Sequence, residues 1–82
     1  MADVEERIRA VLAAHARMPG GVEALDDTAD LYAAGMTSHA SVNVMLAIED
    51  EFDVEFPERL LRKDTFASVS AIRIALEELL GA

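Results

Sequence analysis

The chain has 82 residues, just over half of them apolar, no cysteine and a formal net charge of −9. A chain of this size buries only about 60% of its unfolded surface, which suits a single domain over residues 1–82 and leaves little room for a deep catalytic pocket; without cysteine, disulfides, thiolate zinc sites and a protein-borne thiol nucleophile are excluded. No apolar run approaches the roughly 20 residues of a membrane span, and the acidic residues 1–6 lack a signal peptide's basic-then-apolar layout, so a soluble cytoplasmic monomer with no membrane partner is expected.

The first helix is predicted to begin at Asp3, with Glu6 reaching back to complete a capping box, and to bury a stripe of Val4, Ile8, Val11, Leu12 and His15. Pro19-Gly20-Gly21 ends it, since proline cannot continue the hydrogen-bond ladder and glycine accepts the conformation beyond a helix end. Residues 22–37 have no sustained period. Val22, Leu25, Leu31, Tyr32 and Met36 still punctuate them as core anchors, and a connection this long in a small domain usually carries function.

A second helix is predicted over Ser38–Phe52, with Val44, Ile48 and Phe52 forming its core row. Val42, Met45 and Leu46 exceed what one face needs. Part of that surplus is expected in solvent as a docking surface, with burial of Met45 against the loop as the alternative. Pro57 suits the first position of a short third helix over residues 58–62. A fourth helix from about Ser68 should bury Val69, Ile72, Leu76 and Leu79 or Leu80 and stop at Gly81. The expected fold is all-α: a four-helix bundle with a long loop between helices 1 and 2 and a short helix 3.

Ser38 stands where a glycine-punctuated loop runs into the second helix. Unpaired N–H groups and the positive end of the helix dipole favour a phosphate there. The competing use of a serine at this point is helix capping, a role that neighbouring Thr37 can take over. Asp26, Thr28 and Asp30 mimic the opening of a calcium loop, but Leu31 stands where glycine is required and Thr37 where glutamate is, which rules out an EF-hand. A small hydrolase would need a base beside Ser38. Its only local candidate, His39, points about 100° away around the helix.

Residues 18–58 contain no Lys or Arg and many acids, among them Glu49, Asp50 and Glu51. So one-sided a surface disfavours nucleic acid and favours docking onto basic patches of partner proteins; the alternative is a solvated face that maintains solubility.

Together these stretches resemble the acyl carrier protein family, whose hallmark is Gly-x-Asp-Ser-Leu before an acidic helix ending in Glu-Glu-x-Phe-x-x-x-(Ile/Phe)-Pro. Here the match is Gly35-Met36-Thr37-Ser38-His39 and, ungapped, the run from Glu49 to Pro57; it is strongest from Leu31 to Pro57 and extends over nearly the whole chain. The resemblance implies a non-enzymatic carrier bundle. Ser38 would receive a 4′-phosphopantetheine arm from coenzyme A through a phosphopantetheinyl transferase, and the arm's thiol would hold an acyl cargo as a thioester for a downstream acyl-accepting enzyme. It also implies docking roles for Thr37, His39, Val42, Met45, Glu49, Asp50 and Glu51. Thr37 and His39 replace the usual Asp and Leu, and Arg59, Arg62 and Lys63 stand where fatty-acid carriers are acidic. Leu31-Tyr32, Gly35-Met36-Thr37-Ser38 and Ala40-Ser41-Val42 look instead like stand-alone carriers charged with an amino acid by ligases resembling seryl-tRNA synthetases. A fatty-acid or polyketide carrier and an unmodified helical adaptor are the alternatives.

Overall fold

The computed structural model describes residues 4–16, 18 and 20–81. Helices α1 (Val4–His15), α2 (Ser38–Phe52) and α3 (Val69–Gly81) are joined by the long loop and by two 3₁₀ turns, Glu58–Leu60 and Lys63–Phe66. Among the described residues there is no strand.

Each helix contributes one apolar row to a common core: Ile8, Val11 and Leu12 from α1, Val44, Ile48 and Phe52 from α2, Val69, Ile72 and Leu76 from α3. Burying each such side chain contributes about 1.5–3 kcal/mol, which is what holds helices this short together. The α1 stripe does not include His15, which is exposed; its place is taken by Ala16, four residues after Leu12 and buried. Helix α1 ends at His15, ahead of the predicted stop signal. The predicted Asp3 cap and Pro19 lie outside the described residues.

The long loop is fastened at several points. Val22, Leu31 and Met36 are buried, while Leu25 and Tyr32 pack partly against the core. Leu31 N–H donates to Ala67 C=O at 2.7 Å, tying the loop to the segment before α3, and within the loop Met36 N–H donates to Leu31 C=O at 3.0 Å. From α1, Arg9 donates to Val22 C=O at 3.0 Å and to Asp27 Oδ1 at 2.6 Å.

The predicted third helix over residues 58–62 is not an α-helix, so the bundle has three α-helices among the described residues rather than four. Pro57 is extended and precedes the first 3₁₀ turn instead of opening a helix. Leu60 is only partly buried and Leu61 is half-exposed, so this stretch has no apolar face to anchor a helix. Two tight turns instead bring the rings of Phe56 and Phe66 edge to face, 5.2 Å apart. Helix α3 begins at Val69 with Ser68 Oγ accepting from Ala71 N–H at 3.0 Å, and it buries Ala75 as well as the predicted residues; Leu79 is partly buried and Leu80 exposed.

One contact of the loop makes a test of stability. The hydrogen bond from Arg9, reinforced by the charges of Arg9 and Arg73, holds the Asp27 carboxyl below its ordinary value. A carboxylate lowered in the folded state contributes stability above its unfolded pKa and loses it as pH falls through the folded value. Native protein is therefore expected to lose stability relative to Asp27→Asn below about pH 4, in urea melts at a series of pH values. Parallel pH curves for the two proteins would remove this contact from the acid transition.

Candidate functional site

At the start of α2 the two hydroxyl side chains divide the work. Thr37 is the N-cap: it is extended (φ −82°, ψ 164°), and its Oγ1 accepts from Ala40 N–H at 3.0 Å. Ser38 is thereby the first helical residue, exposed, with no hydrogen bond to its hydroxyl among the described residues. Ser41, one turn on, is committed to the helix, its Oγ donating to Ser38 C=O at 2.6 Å. Of these three, only Ser38 offers a free nucleophilic oxygen at the positive end of the helix.

Ser38 opens onto a groove of about 410 Å³ between α2 and the second 3₁₀ turn. Ser38 and Ser41 line it beside Val42 and Met45, which follow at helical spacing; Leu61 and Phe66 face them, with Tyr32, Arg62 and Lys63 completing the wall. Val42 is 50% exposed and Met45 only partly, packing against the core. Leu46, 54% exposed, lies away from this groove. The Tyr32 hydroxyl donates to Lys63 C=O at 3.3 Å, and Lys63 Nζ lies 4.9 Å from the centre of the Tyr32 ring.

The other predicted residues fall elsewhere. His39 and Thr37 line a separate groove with His15, Gly35 and Asn43, so His39 does not share the cleft of Ser38. The three acids of α2 have different fates. Glu49 is turned to the helix exit, its Oε2 accepting from Phe56 N–H at 2.8 Å. Its backbone C=O accepts from Val54 N–H as Asp53 turns left-handed (φ 54°). Glu51 is tied to α1: Arg7 Nε donates to its carboxylate at 3.0 Å and Arg7 Nη2 to its C=O at 2.9 Å, with the guanidinium 4.2 Å above the Phe52 ring. Asp50 alone of the three is exposed with no partner among the described residues. Tyr32, Arg62 and Lys63 are the site residues that sequence spacing did not bring together. The available signal is the abrupt return of cations after the cation-free stretch of residues 18–58.

Residues 6–79 match the family model described as a phosphopantetheine attachment site. The chain is 52% identical over 65 residues, 79% of its length, to an aminoacyl carrier protein of Agrobacterium fabrum, of which the match spans 78%. Its fold superposes (TM-score 0.91, 44% identity) on a carrier protein from Agrobacterium tumefaciens solved with an engineered Bradyrhizobium japonicum glycine:carrier protein ligase and ATP, covering 94% of this chain and 100% of that one. A more distant likeness (TM-score 0.75, 26% identity, covering 88% of this chain and 96% of the other) is to a glycylated carrier protein bound to the Bradyrhizobium japonicum ligase. Free serine, open groove and near-complete matches agree: the chain belongs to the phosphopantetheine-bearing carrier proteins, in the company of the aminoacyl carriers.

Proposed function

We propose that Ser38 is the attachment point of the 4′-phosphopantetheine arm, and that the chain carries an amino acid delivered by a seryl-tRNA-synthetase-like ligase. The observation that supports it most is the division of labour at the helix start: Thr37 caps, Ser41 bonds backwards, and the Ser38 hydroxyl is left over. On loading, a Ser38 Oγ–phosphorus bond forms as the diphosphate bond of coenzyme A breaks; adenosine 3′,5′-bisphosphate leaves and the serine proton passes to the transferase. When bound, the arm supplies a thiol that holds the cargo as a thioester, chemistry a cysteine-free chain does not possess. The residues present fit the arm: an exposed serine oxygen at a helix N-terminus for the phosphate, and an open, mostly apolar groove beside it.

The chain's own part is presentation. Thr37 and His39 flank the attachment point, Val42 and Met45 continue its face along α2, and Asp50 adds an unpartnered charge further on. In this reading they form the surface that the transferase, the ligase and a downstream acyl-accepting enzyme engage. Relatives in complex with a glycine:carrier protein ligase support the amino-acid cargo over a fatty-acyl one.

Intact-protein mass after incubation with coenzyme A, magnesium and a broad-specificity phosphopantetheinyl transferase tests the attachment. Native protein is expected to gain one phosphopantetheine and Ser38→Ala none. Equal gain by both proteins would move the arm to another residue, and no gain by either would leave the unmodified adaptor.

A further inference from the structure

Six of the chain's seven Lys and Arg residues lie in the described part, and their partners set two of them apart. Arg7, Arg9, Arg59 and Arg73 each hold a carboxylate at 2.6–3.0 Å. Arg62 meets only Asp64, at 3.8 Å, and both side chains are mostly in water; such an exposed, long-range pair contributes next to nothing. Lys63 has no carboxylate partner among the described residues, although the chain carries more than twice as many Asp and Glu as Lys and Arg residues. These two loosely committed cations line the same groove as Ser38.

Lys63 is also positioned. The Tyr32 hydroxyl holds its backbone C=O and the Tyr32 ring lies against its ammonium, so the side chain leans across the groove wall from a fixed base. An ammonium over a ring face keeps its remaining donors free for an anion. In a molecule this acidic, a lysine and an arginine so loosely committed beside the free Ser38 hydroxyl favour a negative charge there.

Resting on the reading of Ser38 as the attachment point, we infer that Lys63, with Arg62, is a positioning residue for the phosphodiester: it draws the phosphate toward the second 3₁₀ turn and so lays the root of the arm over Val42 and Met45. A phosphodiester is the anion of a strong acid and carries a single negative charge throughout the neutral pH range. The pairing therefore responds to salt, which screens exposed charges over about 10 Å at 0.1 M. A docking partner must break it to take the arm, so neutralising the two cations frees the arm without touching the attachment oxygen.

The test is phosphorus-31 NMR of the loaded protein: native, Lys63→Arg, and the double variant Arg62→Gln with Lys63→Gln. Loading is first verified by intact mass, and folding by the helical circular dichroism, which exposed side chains should not alter. Native and Lys63→Arg proteins are expected to give a broadened phosphodiester line that sharpens and shifts as sodium chloride is raised. The double variant should give, already at low salt, the sharp line of the native protein at high salt. Identical lines and identical salt responses in native and double-variant proteins would overturn the positioning role. A native protein that gains no mass and shows no phosphodiester line would instead overturn the attachment at Ser38, on which the role rests.

Discussion

Leu31→Ala is expected to lower the unfolding free energy by about 2–5 kcal/mol, the cost of leaving a cavity where a large aliphatic side chain was fully enclosed. Leu31 is completely buried, and its backbone fastens the loop in both directions, donating to Ala67 C=O and accepting from Met36 N–H. At about 0.05–0.15 kcal/mol per residue, a chain this short has only about 4–12 kcal/mol in all, so the loss is a large fraction of the total. The consequence reaches function because the same loop delivers the start of α2 to the second 3₁₀ turn. The transferase reaction should fall in proportion to the folded fraction and recover on cooling. Leu46→Ala is the matched control: with its side chain half in water, the change should stay within about 0.5–1 kcal/mol. Urea denaturation followed by circular dichroism reads both. A Leu31→Ala midpoint as close to native as that of Leu46→Ala would mean that the loop is not a structural part of the carrier.

Helix α2 was the most legible part of the chain because every signal there agrees. A polar pair opens it, Val44, Ile48 and Phe52 recur every four residues, and a charged exit leads to a proline; the observed bounds, Ser38–Phe52, are the predicted ones. Its surplus apolar residues also fell as the pattern required, with Val42 and Leu46 half in solvent. The segment after it was legible only in part. Phe56 and Phe66 are a core pair separated by two tight turns, and no short-range period connects them. Without an apolar stripe, proline followed by charged residues reads equally well as a helix start or as a turn. His15 was misplaced for a simpler reason: i+3 and i+4 from Leu12 are both permitted by helical spacing, and packing took Ala16. At the site, adjacency pointed to Thr37 as the cap and so to Ser38 as the hydroxyl left over, whereas the grouping of Tyr32 with Lys63 joins residues 31 apart and exists only in the fold.

The acids of α2 show best where composition stops and geometry takes over, and they supply the second large effect. Glu49→Ala is expected to cost about 1–3 kcal/mol, because Phe56 N–H, in a residue almost wholly buried, loses its acceptor and keeps its desolvation penalty. Glu49→Gln should cost less, since the amide oxygen can still accept that hydrogen bond. Asp50→Asn should leave the urea midpoint within experimental error of native, the aspartate having no partner to lose. The kinetics are expected to invert this order. If Asp50 steers a basic partner surface, its neutralisation slows ligase charging at low salt and the difference closes as salt is raised, the behaviour of an exposed charge acting on encounter. Glu49→Gln, whose charge is turned back onto the chain, should show little salt-dependent loss. A destabilised Asp50→Asn, or a Glu49→Gln defect that vanishes at high salt as fully as that of Asp50→Asn, would show that the acidic run acts as one undivided surface. The expected split makes the run three devices with one composition: Glu49 a backbone clamp at the helix exit, Glu51 a tie to α1, and Asp50 a free charge for docking.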